Sequence, residues 1–264
     1  MSAPTDRPAE HPEPSTSANR LAPWFLLAVP LIGGIAATST LDEPVALGTL
    51  AVRPAPYAVS GDVFGLTAAG LVALNGRNPP RSVSASVPSD ATDLSIDPAQ
   101  RIYWAVGSTL QVVDLITGAS ESRELGEPLV DSVVLCHGLV GITSSHLIQW
   151  SPGASPTVVP LKVAMSGIAF GSDCDHVTAW NADGVRSVAI ATGECETSLP
   201  WTNPVAAARR GYGWLVADST GVVDVAPDGR PHKRWPLANV RSLCGVVADH
   251  VCAVTSDGVV WALP

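Results

Sequence analysis

The sequence predicts an all-β chain, a single six-bladed β-propeller over residues 45–264. Three observations predict it: a degenerate repeat of 37 to 39 residues, a tight turn before an apolar alternating strand in each copy, and a strand left over ahead of the first copy. A fixed period of this length marks stacked supersecondary units, each too small to bury its own apolar face. Six segments align: LTAAGLVAL, AVGSTLQVV, ITSSHLIQW, AWNADGVRSV, VADSTGVVDV and VTSDGVVWAL. Their turn positions are Gly70, Thr109, His146, Gly184, Gly221 and Gly258, at intervals of 39, 37, 38, 37 and 37 residues. Glycine at four of these turns suits a hairpin position that needs positive φ, where a Cβ would clash with the backbone.

Around each turn the apolar alternation has a period of two, which is the signature of strands. One strand precedes the turn, one follows it, another lies upstream (ATDLSI, DSVVLC, SGIAFG or RSLCGV) and a fourth downstream. Four strands in under 40 residues describe a propeller blade. A parallel solenoid would not place a tight hairpin in every repeat, and a sandwich has no reason for so regular a period. The last repeat stops at VVWALP after three strands, and LGTLAV at 47–52 is the orphan that completes it. Pairing the two closes the ring and covers an otherwise open edge. Residues 53–56, RPAP, then link into the first blade.

The first fifth of the chain is a separate object. Residues 1–19 are rich in Pro, Ser, Thr, Ala and acid, with too little apolar surface to offset the entropy of ordering them, and read as a disordered tail. Residues 20–41 contain an uncharged run, LAPWFLLAVPLIGGIAAT at 21–38, long enough to cross a bilayer. An uncleaved membrane anchor competes here with a signal segment cleaved near Ala37 or Ser39, and with a buried helix. Arg7 and Arg20 outweigh Arg53 as flanking charge, so the short tail is expected in the cytoplasm and the propeller outside it. Cleavage would instead make the propeller a secreted protein.

Composition narrows the partners. Charged residues make up 15% of the chain and the net charge is −9, which lacks the positive field that drives binding to a phosphate backbone. Nucleic acid is therefore not an expected partner. No GxSxG, HExxH or phosphate-cradling Gly-Lys loop occurs, so the sequence shows no enzyme signature.

The closing repeat, ADHVCAVTSDGVVWALP, is similar to the repeats of the regulator of chromosome condensation family, which run Gly, His, small, apolar, Asp-Gly, apolar, Trp. His250 and His176 stand eight residues before their turn glycines, where that family also tends to place His. GLVALNG and GVVWALP equally resemble quinoprotein repeats, without the Trp-docking pattern of those proteins. Both resemblances imply a propeller of generic kind and no particular activity.

Candidate chemistry gathers in the turns between first and second strands, on one face of the ring. Cys136 and His137, Asp173 to His176, and Asp249, His250 and Cys252 bring together groups that ligate divalent metals, with His137, His176 and His250 the candidate ligands. The competing reading is that Asp, Ser and His here are ordinary turn residues. Cys244 and Cys252 flank a turn near Val247 and Ala248 and are placed for a disulfide; Cys174 with Cys195 is a second candidate pair, leaving Cys136 alone. Arg209, Arg210 and Arg241 form a local basic excess, a candidate anion site at the channel or one of its mouths. Trp104, Trp150, Trp214 and Trp261 fall on blade strands as core.

The expected function is a membrane-anchored, non-catalytic binding module for a protein or an extracellular polymer, without a cofactor beyond the candidate divalent metal. Two alternatives stand beside it: a metal-dependent hydrolase or lactonase centred in the channel, and a small-ligand sensor.

Overall fold

A computed structural model describes residues 43–264 except 76–78, 137, 172 and 248–249, together with the side chains of all of these but 245–247 and 250. The tail at 1–19, the apolar run at 21–38 and His137 fall outside this set, as does the side chain of His250. Among the described residues there is no helix. Six four-stranded antiparallel sheets account for every strand.

Strand β1 (Val45–Thr49) belongs to the last sheet, and the first blade follows it as β2 (Tyr57–Val59), β3 (Asp62–Thr67), β4 (Gly70–Leu74) and β5 (Arg81–Ser82). The second blade is β6 (Asp93–Ile96), β7 (Arg101–Val106), β8 (Thr109–Asp114) and β9 (Ser120–Glu124). The third is β10 (Asp131–Leu135), β11 (Gly138–Ile142), β12 (His146–Trp150) and β13 (Thr157–Pro160). The fourth comprises β14 (Gly167–Phe170), β15 (His176–Asn181), β16 (Gly184–Ala189) and β17 (Cys195–Pro200). The fifth comprises β18 (Ala206–Arg210), β19 (Gly213–Asp218), β20 (Gly221–Val225) and β21 (Pro231–Trp235). The sixth is β22 (Val240–Val247), β23 (His250–Thr255) and β24 (Val259–Leu263), completed by β1 against β24. Five of the six turn positions in the repeat are the first residues of third strands, and Gly258 directly precedes the sixth.

Burial follows position in the blade. Second strands are covered by neighbouring blades on both faces, so IYWA in β7 and WLVA in β19 are buried without alternation. The outermost β9, Ser-Glu-Ser-Arg-Glu, keeps one edge and much of its surface in water and alternates between exposed and half-buried. First strands pack on one another around the axis: β2 on β6, β6 on β10, β10 on β14, β14 on β18, β18 on β22, and β22 back on β2. Aromatic side chains fill the wedges between blades, as where Tyr103 meets the edge of Trp150 at 6.1 Å between the second and third.

Closure works as the orphan strand implies, shifted toward the N-terminus: Val45 pairs with Ala262 and Thr49 with Val259, with a bulge between Ala46 and Gly48. The Leu50 N–H then donates to the Gly258 carbonyl at 2.9 Å, and the chain leaves the sheet toward the first blade. Gly258 has φ +82°, and a Cβ there would strike the Leu50 carbonyl oxygen.

Candidate functional site

Because hairpins alternate between the two faces of the ring, each face collects one class of loop. Turns joining first to second strands share a face with those joining third to fourth. The other face carries the links between blades and the turns joining second to third strands. A cavity of about 1010 Å³ opens on this second face and runs down the axis between the first strands.

Its floor is made by side chains near the far ends of first strands. Tyr57 of the first blade lies against Phe170 of the fourth, directly across the ring, with ring centroids 6.2 Å apart. The Tyr57 hydroxyl donates to the Val134 carbonyl at 3.2 Å and accepts from the Val134 N–H at 3.0 Å. The tyrosine therefore blocks the channel with an apolar ring whose one polar atom is satisfied, and the cavity is blind at that end. At the mouth stand Arg53 in the link to β2, Ser89 to Ala91 ahead of β6, and the exposed Val130 and Val205.

One wall is acidic. Asp93 and Asp131 are the first residues of β6 and β10, and each reaches toward the next blade. Asp131 accepts from the Ile168 N–H of the fourth blade at 2.8 Å and from the Ser132 N–H at 2.9 Å. Asp93 accepts from the Ser132 hydroxyl, which also contacts Ser95 at 3.0 Å. The same first-strand position thus stitches blades two to three and three to four. In the fourth blade it is Gly167, where a Cβ would strike the Trp180 ring and lie 2.8 Å from the Asp131 carboxylate. Burial pushes the Asp93 carboxyl up to about 6, opposed by its Ser132 hydrogen bond. Asp131 lies well above the ordinary carboxylate range, first from burial and then from the neighbouring Asp93 charge.

The opposite wall is basic. Arg209 on β18 and Arg241 on β22 line the cavity, with Arg53 beside them in ring order. The Arg209 guanidinium lies over the Trp214 ring at 4.1 Å, and burial lowers its pKa. Arg210 does not join them. Alternation along β18 turns it away from Arg209, and it reaches Asp224 at 3.6 Å with its guanidinium 5.9 Å from Trp235. The expected trio of Arg209, Arg210 and Arg241 is thus corrected to Arg53, Arg209 and Arg241.

The candidate metal face lies on the other side of the ring. His176 there is held by Asp173 at 2.6 Å and Glu196 at 2.9 Å, and the Asp173 hydrogen bond raises the imidazole pKa. No group of three side chains converges as metal ligands among the described residues, a set that leaves out the side chains of His137 and His250.

Cysteine pairing differs from expectation. Cys136 bonds to Cys174, with Cα atoms 5.6 Å apart, so Cys174 does not bridge to Cys195 and Cys136 is not alone. Cys195 is free and exposed on an outer strand. The physical reason is the ring: the inner hairpins of adjacent blades converge toward the axis, whereas Cys195 begins the outermost strand β17. The separation of 38 residues equals the local repeat interval, so the two cysteines occupy equivalent places in successive blades. Cys244 and Cys252 lie on paired strands as expected, near enough for their thiols to hydrogen-bond, and both are buried and free. A bulge between Leu243 and Val246 takes Cys244 out of direct register with its neighbour.

No family model and no curated protein matches the sequence. Solved structures do. The extracellular domain of a one-component system from B. thetaiotaomicron superposes with a TM-score of 0.57 at 13% identity, over 78% of this chain and 32% of that one. The chain thus spans about a third of that protein's length. BBS1N, solved in complex with ARL6DN, matches with a TM-score of 0.56 at 14% identity, over 84% of this chain and 98% of its own. The WD40 propeller domain of Doa1 gives 0.54 at 11% identity, over 83% and 74%. The chain is a β-propeller of generic type. At these identities the likeness is one of fold alone, and the function has to be argued from the site.

Proposed function

We propose that this propeller is a non-catalytic binding module that offers the mouth of its central cavity to a protein or an extracellular polymer. In this reading the apolar run at 21–38 anchors it in a membrane, with the propeller outside the cytoplasm. The observation that carries the reading is the blind cavity itself: a concave site of ligand size, floored by Tyr57 and Phe170 and open on one face. An extracellular domain and a protein solved with a protein partner share the fold, which agrees with the reading without carrying it.

The test is site-specific photo-crosslinking in cells expressing the full chain. Probes at Val130 and Val205, on the mouth, are expected to give discrete adducts, and a probe at Tyr212, exposed on the opposite face, none. External protease should cut the propeller in cells whose outer barrier is opened. Adducts from Tyr212 alone, or a propeller shielded from that protease, would overturn the reading.

One observation favours a second reading, a hydrolase in the channel: two carboxyls with raised pKa values stand on adjacent first strands of one wall. Acidic or histidine side chains on three first strands would carry it. The described first strands contribute only these two to the cavity, and both are already engaged by scaffold N–H or hydroxyl groups. Hydrolysis lost in both Asp93→Asn and Asp131→Asn would establish that reading.

A further inference from the structure

Ten arginines lie among the described residues, in a chain where acids outnumber bases 24 to 15. Six of them pair with a carboxylate, such as Arg101 with Asp97 and Arg234 with Asp218. A seventh, Arg186, donates to the Asn181 amide oxygen at 2.7 Å. The three that have no polar side-chain partner among the described residues are Arg53, Arg209 and Arg241, and all three line the central cavity. Arg209 is partly desolvated with its Nε buried and unbonded, and the Trp214 face under it supplies no hydrogen-bond acceptor, while Arg53 and Arg241 stand exposed at the cavity. A bound anion supplies the missing acceptor.

Ring order adds the second half of the site. Arg209, Arg241 and Arg53 belong to blade five, blade six and the link into blade one, which adjoin one another. Asp93 and Asp131 belong to blades two and three, which in a ring of six face blades five and six. The cavity is polarised across its width, with guanidinium donors on one side and carboxyl acceptors on the other. Trp180 adds an aromatic face to the lining.

We infer that the cavity binds a sugar acid, the end or a residue of an acidic polysaccharide, with its carboxylate on the arginine side and its hydroxyls on Asp93 and Asp131. Guanidinium forks match a planar carboxylate in two parallel hydrogen bonds. Sugar hydroxyls both donate and accept, so they suit the two aspartates in either protonation state. The cavity volume, about 1010 Å³, accommodates more than a single sugar ring. This inference rests on the cavity mouth being the ligand face and names what enters it.

The test is titration calorimetry of the full chain with glucuronate and galacturonate, against glucose as the uncharged comparator and inorganic phosphate as an anion without hydroxyl-bearing carbons. At least one uronate should bind about tenfold or more tightly than glucose and phosphate. Arg209→Gln and Arg241→Gln should each weaken that binding about tenfold, while Arg234→Gln, on a partnered arginine outside the cavity, leaves it unchanged. Should Arg209→Gln not fold, Arg241→Gln, on an exposed side chain, carries the test. Uronates that bind no better than glucose, or as well to the cavity variants as to the wild type, would overturn the inference. Phosphate binding equal to the uronates would overturn it in favour of a bare anion site. Adducts at Val130 and Val205 that persist when uronates fail would leave the binding-module reading standing without the sugar acid.

Discussion

Tyr57 and Val134 exchange two hydrogen bonds across the channel, the phenol donating to the carbonyl and accepting from the N–H of one residue two blades away. The pair belongs to neither residue's own sheet. It ties the three-residue β2, with little ladder of its own, to the well-paired β10.

Replacing Tyr57 with Phe keeps the ring against Phe170 and leaves both Val134 groups without that partner. Buried polar groups left unsatisfied cost about 1–3 kcal/mol, and urea denaturation should show a loss in this range. An unchanged midpoint would mean that water replaces the phenol.

Closure of the ring hinges on Gly258. Gly258→Val imposes a β-branched residue at φ +82° and drives its Cβ into the Leu50 carbonyl, so stability should fall by about 2–4 kcal/mol. Gly70→Ala is the control, since φ is +107° there but nothing lies within 4 Å of an added Cβ. That change should cost only backbone strain, about 1 kcal/mol. Equal losses in the two variants would place the effect in φ alone rather than in the closing contact.

The cysteines can be counted directly. Cys195, Cys244 and Cys252 are free and only Cys195 is exposed, so alkylation of the native, unreduced protein should label one thiol, and of the denatured, unreduced protein three. Removing the Cys136–Cys174 bridge by Cys136→Ser frees a loop of 38 residues and should lower stability by about 3–4 kcal/mol, whereas Cys195→Ser should be neutral. Labelling of five cysteines in the denatured, unreduced protein would contradict the bridge.

Stability should depend on pH through the acidic wall. Asp93 and Asp131 hold their protons more tightly folded than unfolded, where an ordinary value near 3.8 applies. The folded state therefore binds the extra protons, and stability from this pair falls as pH rises from about 4 through about 6 and beyond. For Asp93 the loss between pH 5 and pH 8 is on the order of 1 kcal/mol, and Asp131 adds to it in the same direction. Asp131→Asn removes one titrating group and the charge that acts on the other, so the difference between variant and wild type should shrink as pH rises. A difference that is constant with pH would exclude this origin.

Much of the fold was legible because a ring repeats its local grammar. Gly70, Thr109, His146, Gly184 and Gly221 open third strands because each sits at the one turn that every blade shares. Relations between blades were less legible. Cys136 and Cys174 escape a search for cysteines facing each other within a hairpin, although their spacing of one repeat carried the signal. Asp93 and Asp131, also one repeat apart, carried the same signal for the acidic wall. Arg209 and Arg210 are neighbours in sequence and opposite in role, a distinction set by which face of β18 meets the axis. Tyr57 and Phe170 are joined only by the geometry of the ring, and no local pattern marks them.

The pairing of β1 with β24 also sets a timetable. Residues 45–49 leave the ribosome some two hundred residues ahead of their partner at 259–263. At about 5–20 residues per second, the first strand waits on the order of ten seconds or longer for its place in a sheet. During that interval Val45 and Leu47 sit in a short apolar stretch with open backbone on both sides, the kind of edge that a chaperone covers.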